Sequence, residues 1–271
     1  MALALSVSIT AVLIAAVLIA IVAFFYSNLG LGGGQLYVPI MVITFSSFAM
    51  KDIVPLSLCF AFATMAMSAF SHNKKRLVHF RVGLVLALFG LVGVGAGVMF
   101  TSVLPDLIVK AAFAGMLVIV ASKMLSDIYR KKKDYVACPE TWSLRCWITG
   151  TGVSILTGFL IGSFGIGGGV VSVPLIIYVY RLEPRMAIGT SALVGAILTL
   201  AALAVYIVDP TGGVSIDWPL ALILTPVVFV MALIGSTWGL QKLKTNLVKT
   251  IFTFGVYLAA ATMMFNLLTA G

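Results

Sequence analysis

Two short stretches of the chain have the residue types and spacing to hold a small anion without any charged side chain: Gly30-Leu-Gly-Gly-Gly-Gln-Leu-Tyr-Val-Pro39 and Gly165-Ile-Gly-Gly-Gly-Val-Val-Ser-Val-Pro174. In each, a long apolar run meets three successive glycines, and a proline stands five positions past the last of them. Neither stretch can be an unbroken helix. Glycine costs ~1 kcal/mol per position inside a helix, and proline lacks the N–H that the fourth carbonyl back would receive. A helix that restarts after such a break opens with up to four unpaired N–H groups and roughly half a positive charge. Glycine has no Cβ, so a ligand can approach that backbone closely. The chemistry on offer is therefore anion binding by amides.

The elements that must position these breaks follow from composition. Of 271 residues, 62% are hydrophobic and 9% charged, with a mean hydropathy of +1.18, which no water-soluble fold could bury. The chain reads as an all-α polytopic protein of the cell membrane. Apolar runs fall near 8–29, 35–48, 53–71, 82–103, 105–126, 147–164, 170–180, 187–208, 218–240 and 247–268. Eight have about the length needed to cross a ~30 Å hydrocarbon core, whereas the two runs after the glycines are half-helices. Broken backbone at membrane depth is tolerable only where protein or a water-filled cavity satisfies it.

The net charge of +9 lies in short stretches between apolar runs, which fits a cytoplasmic membrane face and not nucleic acid. Aligning the two motifs at an offset of 135 divides the chain into repeat 1 (1–129), a basic linker (130–146) and repeat 2 (147–271). In repeat 1 the basic residues follow the third element (Lys74, Lys75, Arg76, Arg81) and close the repeat (Arg130, Lys131, Lys132, Lys133). In repeat 2 they sit at the alternate connections, at Arg181 and Arg185 and then at Lys242, Lys244 and Lys249. Corresponding loops thus face opposite sides, and the repeats are expected to have inverted topology. Each would be a hairpin of glycine-broken helix and half-helix followed by three transmembrane helices, with both termini external. His72 and His79 flank a basic loop and read as solvated or lipid-facing.

Inversion aims the two half-helix N-termini at each other near the midplane, as in transporters built from discontinuous helices. The expected binding shell is Gly32, Gly33, Gly34 and Gln35 from one turn and Gly167, Gly168, Gly169 and Val170 from the other. Ser57, Thr190 and Ser191, at matched positions early in the following helices, complete it. Asn28, Tyr37, Ser163 and Ser172 are further polar groups near the breaks, and the apolar runs hold almost no ionisable residue near their centres, which argues against a cation path. Cys59, Cys138 and Cys146 lack the spacing of a disulfide framework or zinc site. The first apolar run is too long for a signal peptide and has no basic segment before it. No Walker A loop, Rossmann fingerprint or nucleophile with a base is present, so no enzyme activity, cofactor, metal or catalytic residue is expected.

The doubled Gly-hydrophobic-Gly-Gly-Gly with Val-Pro after it, together with Ala187-Ile-Gly-Thr-Ser191, resembles the sulfite exporter TauE/SafE family of membrane permeases over about residues 8–268. Gly32, Gly33, Gly34, Gly167, Gly168, Gly169, Thr190 and Ser191 match the family pattern. Pro55-Leu56-Ser57 and Gln35 depart from it. The resemblance implies transport of a sulfur-containing anion such as sulfite, thiosulfate or an organosulfonate. The expected function is a secondary transporter working by alternating access; an anion channel and a non-transporting membrane scaffold are the alternatives. Its expected partners are that small anion, membrane lipid, a proton or another coupling ion, and a second copy of the chain, with no nucleic acid.

Overall fold

A computed structural model describes residues 8–45, 48–129, 143–208, 216–242 and 253–264. Every regular element among them is a helix: α1 (Ile9–Leu29), α2 (Gly34–Thr44), α3 (Met50–Lys74), α4 (Phe80–Val103), α5 (Asp106–Tyr129), α6 (Leu144–Phe164), α7 (Gly169–Tyr178), α8 (Pro184–Val208), α9 (Trp218–Lys242) and α10 (Thr253–Met264). Residues 130–142 of the linker, with Cys138 and Trp142, lie outside the described residues, as do Lys244 and Lys249. Six helices, α1, α3, α4, α6, α8 and α9, are long and apolar enough to cross a membrane. Sequence reading counted eight such spans. The other two runs, at 105–126 and 247–268, reach residues whose side chains lie outside the described ones.

The half-helices are where the glycines predict them. α1 stops because Gly30 turns left-handed and returns its N–H to the Tyr26 carbonyl; α6 stops the same way, with Gly165 donating to Ile161. Pro39 and Pro174 sit inside α2 and α7, so the glycines make the break. At 11 and 10 residues these helices are ~16 and ~15 Å long, about half a hydrocarbon core.

Packing follows an exchange of halves. α4 lies along α6 as α9 lies along α1, and α3 packs on α9 as α8 packs on α4, while α3 and α8 meet at the centre. The α4–α6 seam is built from small residues: Gly90 meets Gly158, Gly97 meets Phe159 and Ser163, and Gly162 meets Val94, so the two helices run parallel. In lipid such seams bring backbones close and reward hydrogen bonds across them. Here Ser154 donates to the Leu86 carbonyl, and Thr101 donates to the Ser163 carbonyl at 2.6 Å. By contrast α3 and α8 run antiparallel, with Met65 beside Gly195 and His72 beside Gly189.

One end of the bundle gathers the basic residues. The loop after α3 touches the start of α8, through Leu77 against Gly189 and the His79 N–H on the Thr190 hydroxyl at 2.9 Å. Arg81 at the start of α4 shares a groove with Trp147 near the start of α6. Lys74, Lys75, Arg76, Arg81, Arg145, Arg181 and Arg185 thus belong to one end. At the other end the Asp106 carboxylate takes the Met50 N–H and pairs with Lys110 at 2.6 Å. His72 departs from its sequence reading. It is fully buried and bonds the Ser68 carbonyl through Nδ1 at 2.8 Å, because small Gly189 lets α8 close over it; His79 caps α4 at the Val82 N–H.

Candidate functional site: two glycine turns in contact

The two turns meet backbone to backbone at the centre of the bundle. A Cβ on Gly32 would lie 2.7 Å from the Gly167 Cα, and a Cβ on Gly167 equally close to the Gly32 Cα. Gly34 abuts the Gly165 carbonyl, and Gly169 abuts that of Gly30. At the point of contact there is no room for a methyl group. Gly33 and Gly168, which cap α2 and α7, hold φ of 84° and 78°, a left-handed conformation that side-chain-bearing residues rarely adopt.

Each turn is held by a long helix from the other half of the chain. Gly165 rests on the Ser57 hydroxyl and the Val54 carbonyl of α3, while Gly30 rests on the Ile188 carbonyl of α8 and accepts a long 3.4 Å bond from Ser191. Ser57 donates back to the Val54 carbonyl at 2.7 Å. Of the expected shell, the structure therefore brings together Gly32 to Gln35, Gly167 to Val170, Ser57 and Ser191. It does not bring Thr190 there. That hydroxyl is spent on the His79 N–H at the basic end.

What the site offers is unsatisfied polarity. The N–H groups of Gly32, Gly33, Gly34 and Gln35, and of Gly167, Gly168, Gly169 and Val170, are buried and enter no hydrogen bond among the described residues. The first bonds of the half-helices start later, with Leu36 and Tyr37 on the Gly33 carbonyl and Val171 and Ser172 on that of Gly168. Gln35 is fully buried, and neither end of its amide has a partner of full hydrogen-bonding geometry, although the Tyr26 hydroxyl is near enough to interact with it. The Asn28 Oδ1 and Ser163 Oγ atoms, 135 residues apart in the sequence as the two motifs are, are also buried without partners among the described residues. A buried amide without a partner costs about 1–3 kcal/mol, so such a cluster is anomalous unless it serves a ligand.

Sequence reading missed three residues of this centre. Tyr26 lies one turn before Gly30, Thr64 bonds the Tyr37 hydroxyl at 2.8 Å, and the Met65 methyl closes against Gly32 and Gly195. Only the polarity of Tyr26 and Thr64 inside apolar runs could have flagged them. Tyr37 is structural, with its hydroxyl on Thr64 and its ring edge-on to Phe60 at 5.8 Å. Among the described residues no group of three His, Cys, Asp or Glu side chains stands close enough to hold a metal ion.

Comparison with known proteins agrees with this architecture in extent. The family model described as "Sulfite exporter TauE/SafE" matches residues 13–263. A probable membrane transporter protein of Bacillus subtilis, YunE, is 25% identical over 89% of this chain and 92% of its own. A probable membrane transporter protein of Methanocaldococcus jannaschii is 26% identical over 77% of this chain and 79% of its own. One from Haemophilus influenzae is 28% identical over 72% and 73%. No solved structure matches.

Proposed function

The chain belongs to the sulfite exporter TauE/SafE family and is a multi-pass membrane transporter, and we propose that its cargo is a small sulfur-containing anion, sulfite or a short organosulfonate, carried by alternating access. The observation that carries this reading is the set of buried, unpartnered N–H groups at the two half-helix starts, with the Gln35 amide among them. Amides fixed in a low-dielectric site stabilise an anion that water would otherwise hold, and helix N-termini add a favourable field. Among the described residues no carboxylate stands at the turns, so no full negative charge there opposes the cargo.

Direct contact of the turns supports a carrier more than an open channel. In this arrangement the pathway is shut where Gly32 meets Gly167. Transport requires the turns to part, admit the anion to the amides and close behind it. Two features support inverted repeats. α3 and α8 occupy equivalent places and run antiparallel, and one end of the bundle collects the basic residues of alternate loops from the two halves. Repeat 1 at 1–129 and repeat 2 at 147–271 would then rock against each other. Gln35, Ser57 and Ser191 face the moving contact, while Thr190 positions the loop before α4.

The test is counterflow in proteoliposomes holding purified protein and unlabelled sulfite. Rapid uptake of external labelled sulfite, displaced by sulfoacetate or thiosulfate and not by chloride, is the expected result. Equilibration without a counterflow overshoot, accompanied by large anion currents, would instead make the protein a channel.

A further inference from the structure

At the basic end, away from the glycine turns, an open groove of about 460 Å³ runs between α4 and α6. Arg81, Val85 and Phe89 line it from α4, and Trp147, Ile148 and Thr151 from α6. Residues four apart share a helix face, so the α4 side is a stripe with a cation at the membrane boundary and apolar groups leading ~12 Å inward. α6 runs parallel to α4 and starts at the same end, so its Trp147 sits beside Arg81 at that boundary, where an indole is at home. Arg81 is exposed and enters no hydrogen bond or ion pair among the described residues. Among the described residues no carboxylate lines the groove.

We propose that this groove is a binding site for one anionic glycerophospholipid, its phosphate on the Arg81 guanidinium and an acyl chain along Val85, Phe89 and Ile148. Charge fixes the occupant's class. A guanidinium unpaired among the described residues, at the head of an apolar slot and with Arg145, Lys75 and Arg76 on the same end, favours a net negative headgroup over a zwitterionic one. The site also touches the transport machinery. The Trp147 ring meets Tyr180 edge-on at 5.5 Å, and Tyr180 lies two residues past the end of α7, whose other end is the Gly168 turn.

The test uses a variant in which Trp142, Trp218 and Trp238 are replaced by Phe, leaving Trp147 as the sole indole. It is reconstituted in phosphatidylcholine vesicles with rising fractions of chain-brominated phosphatidylglycerol or, separately, chain-brominated phosphatidylcholine, whose bromines quench an indole on contact. Half-maximal quenching is expected at about fivefold lower mole fraction of the phosphatidylglycerol, the preference expected of one cation at an anionic headgroup. Arg81→Gln, at an exposed residue without partners among the described residues, should fold normally and remove the preference, whereas Arg145→Gln, outside the groove, should keep most of it. Equal quenching by the two lipids, or a preference that survives Arg81→Gln, overturns the site.

Discussion

Replacing Gln35 by Leu separates what the anion needs from what the fold needs. The wild-type side chain is fully buried, its amide lacks a properly formed hydrogen bond, and the Tyr26 hydroxyl is a polar neighbour. Removing an unpartnered amide returns about 1–3 kcal/mol of desolvation, while leaving Tyr26 without that neighbour costs about 1 kcal/mol. The empty protein should therefore be as stable as wild type or up to about 2 kcal/mol more stable. Binding should move the other way. A hydrogen bond to a charged group contributes about 1.5–3 kcal/mol, so sulfite affinity should fall about 10- to 150-fold. At a sulfite concentration of 100 times the wild-type Kd, ligand stabilisation is about 2.7 kcal/mol; a 30-fold weaker variant would keep about 0.9 kcal/mol. Thermal melts of purified protein with and without sulfite read both quantities. A Gln35→Leu protein that melts well below wild type without ligand would show the amide to be a structural partner. An undiminished sulfite shift would show that it does not touch the cargo.

Other substitutions probe the rest of the site. Gly34→Ala and Gly169→Ala each drive a methyl into a carbonyl of the opposite turn and should cost about 2–3 kcal/mol, seen as lost monodispersity or a lower melting temperature, whereas Gly95→Ala, which meets nothing within 4 Å, should be tolerated. Thr190→Ala removes the acceptor of the His79 N–H and should lower stability by about 1 kcal/mol while sulfite affinity stays within threefold; a large affinity loss would return Thr190 to the binding shell. In a cysteine-free background, Lys75→Cys and Arg185→Cys should label from the cytoplasm and Lys51→Cys from outside. Labelling of Lys75→Cys and Arg185→Cys from opposite sides would contradict inversion.

The breaks were legible because glycine and proline act through the backbone, whatever surrounds them. α2 and α7 start within one residue of the runs expected at 35 and 170, and the caps at Gly30 and Gly165 follow from the same composition. What one sequence could not carry was which surfaces meet. The matching Thr190-Ser191 and Ser57 positions looked alike, yet one register step on α8 sends Ser191 to the Gly30 carbonyl and Thr190 to a loop near the basic end. His72 sits on a helix whose neighbours are small enough to bury it, a fact that resides in Gly189 on α8. Direct contact of Gly32 with Gly167 was equally invisible. A shared pocket and a shared wall need the same residues.

That contact raises a question about where a single anion would rest. The backbone is nearly symmetric across the turns, but the side chains are not. Tyr26 and Gln35 of the first half have Ile161 and Val170 as their counterparts in the second. Both sets are wholly or almost wholly buried, so the difference is one of chemistry and not of exposure. A desolvated anion gains from every fixed donor and loses against an apolar wall, so it should sit nearer α2 than α7. On that argument the first turn binds, and the second chiefly closes the site while lending its amides. Val170→Ala then tests the asymmetry: it removes no donor, and sulfite affinity should stay within about threefold of wild type while Gln35→Leu loses tenfold or more. If the two variants lose affinity equally, the anion lies on the axis between the repeats and the side-chain asymmetry has no part in holding it.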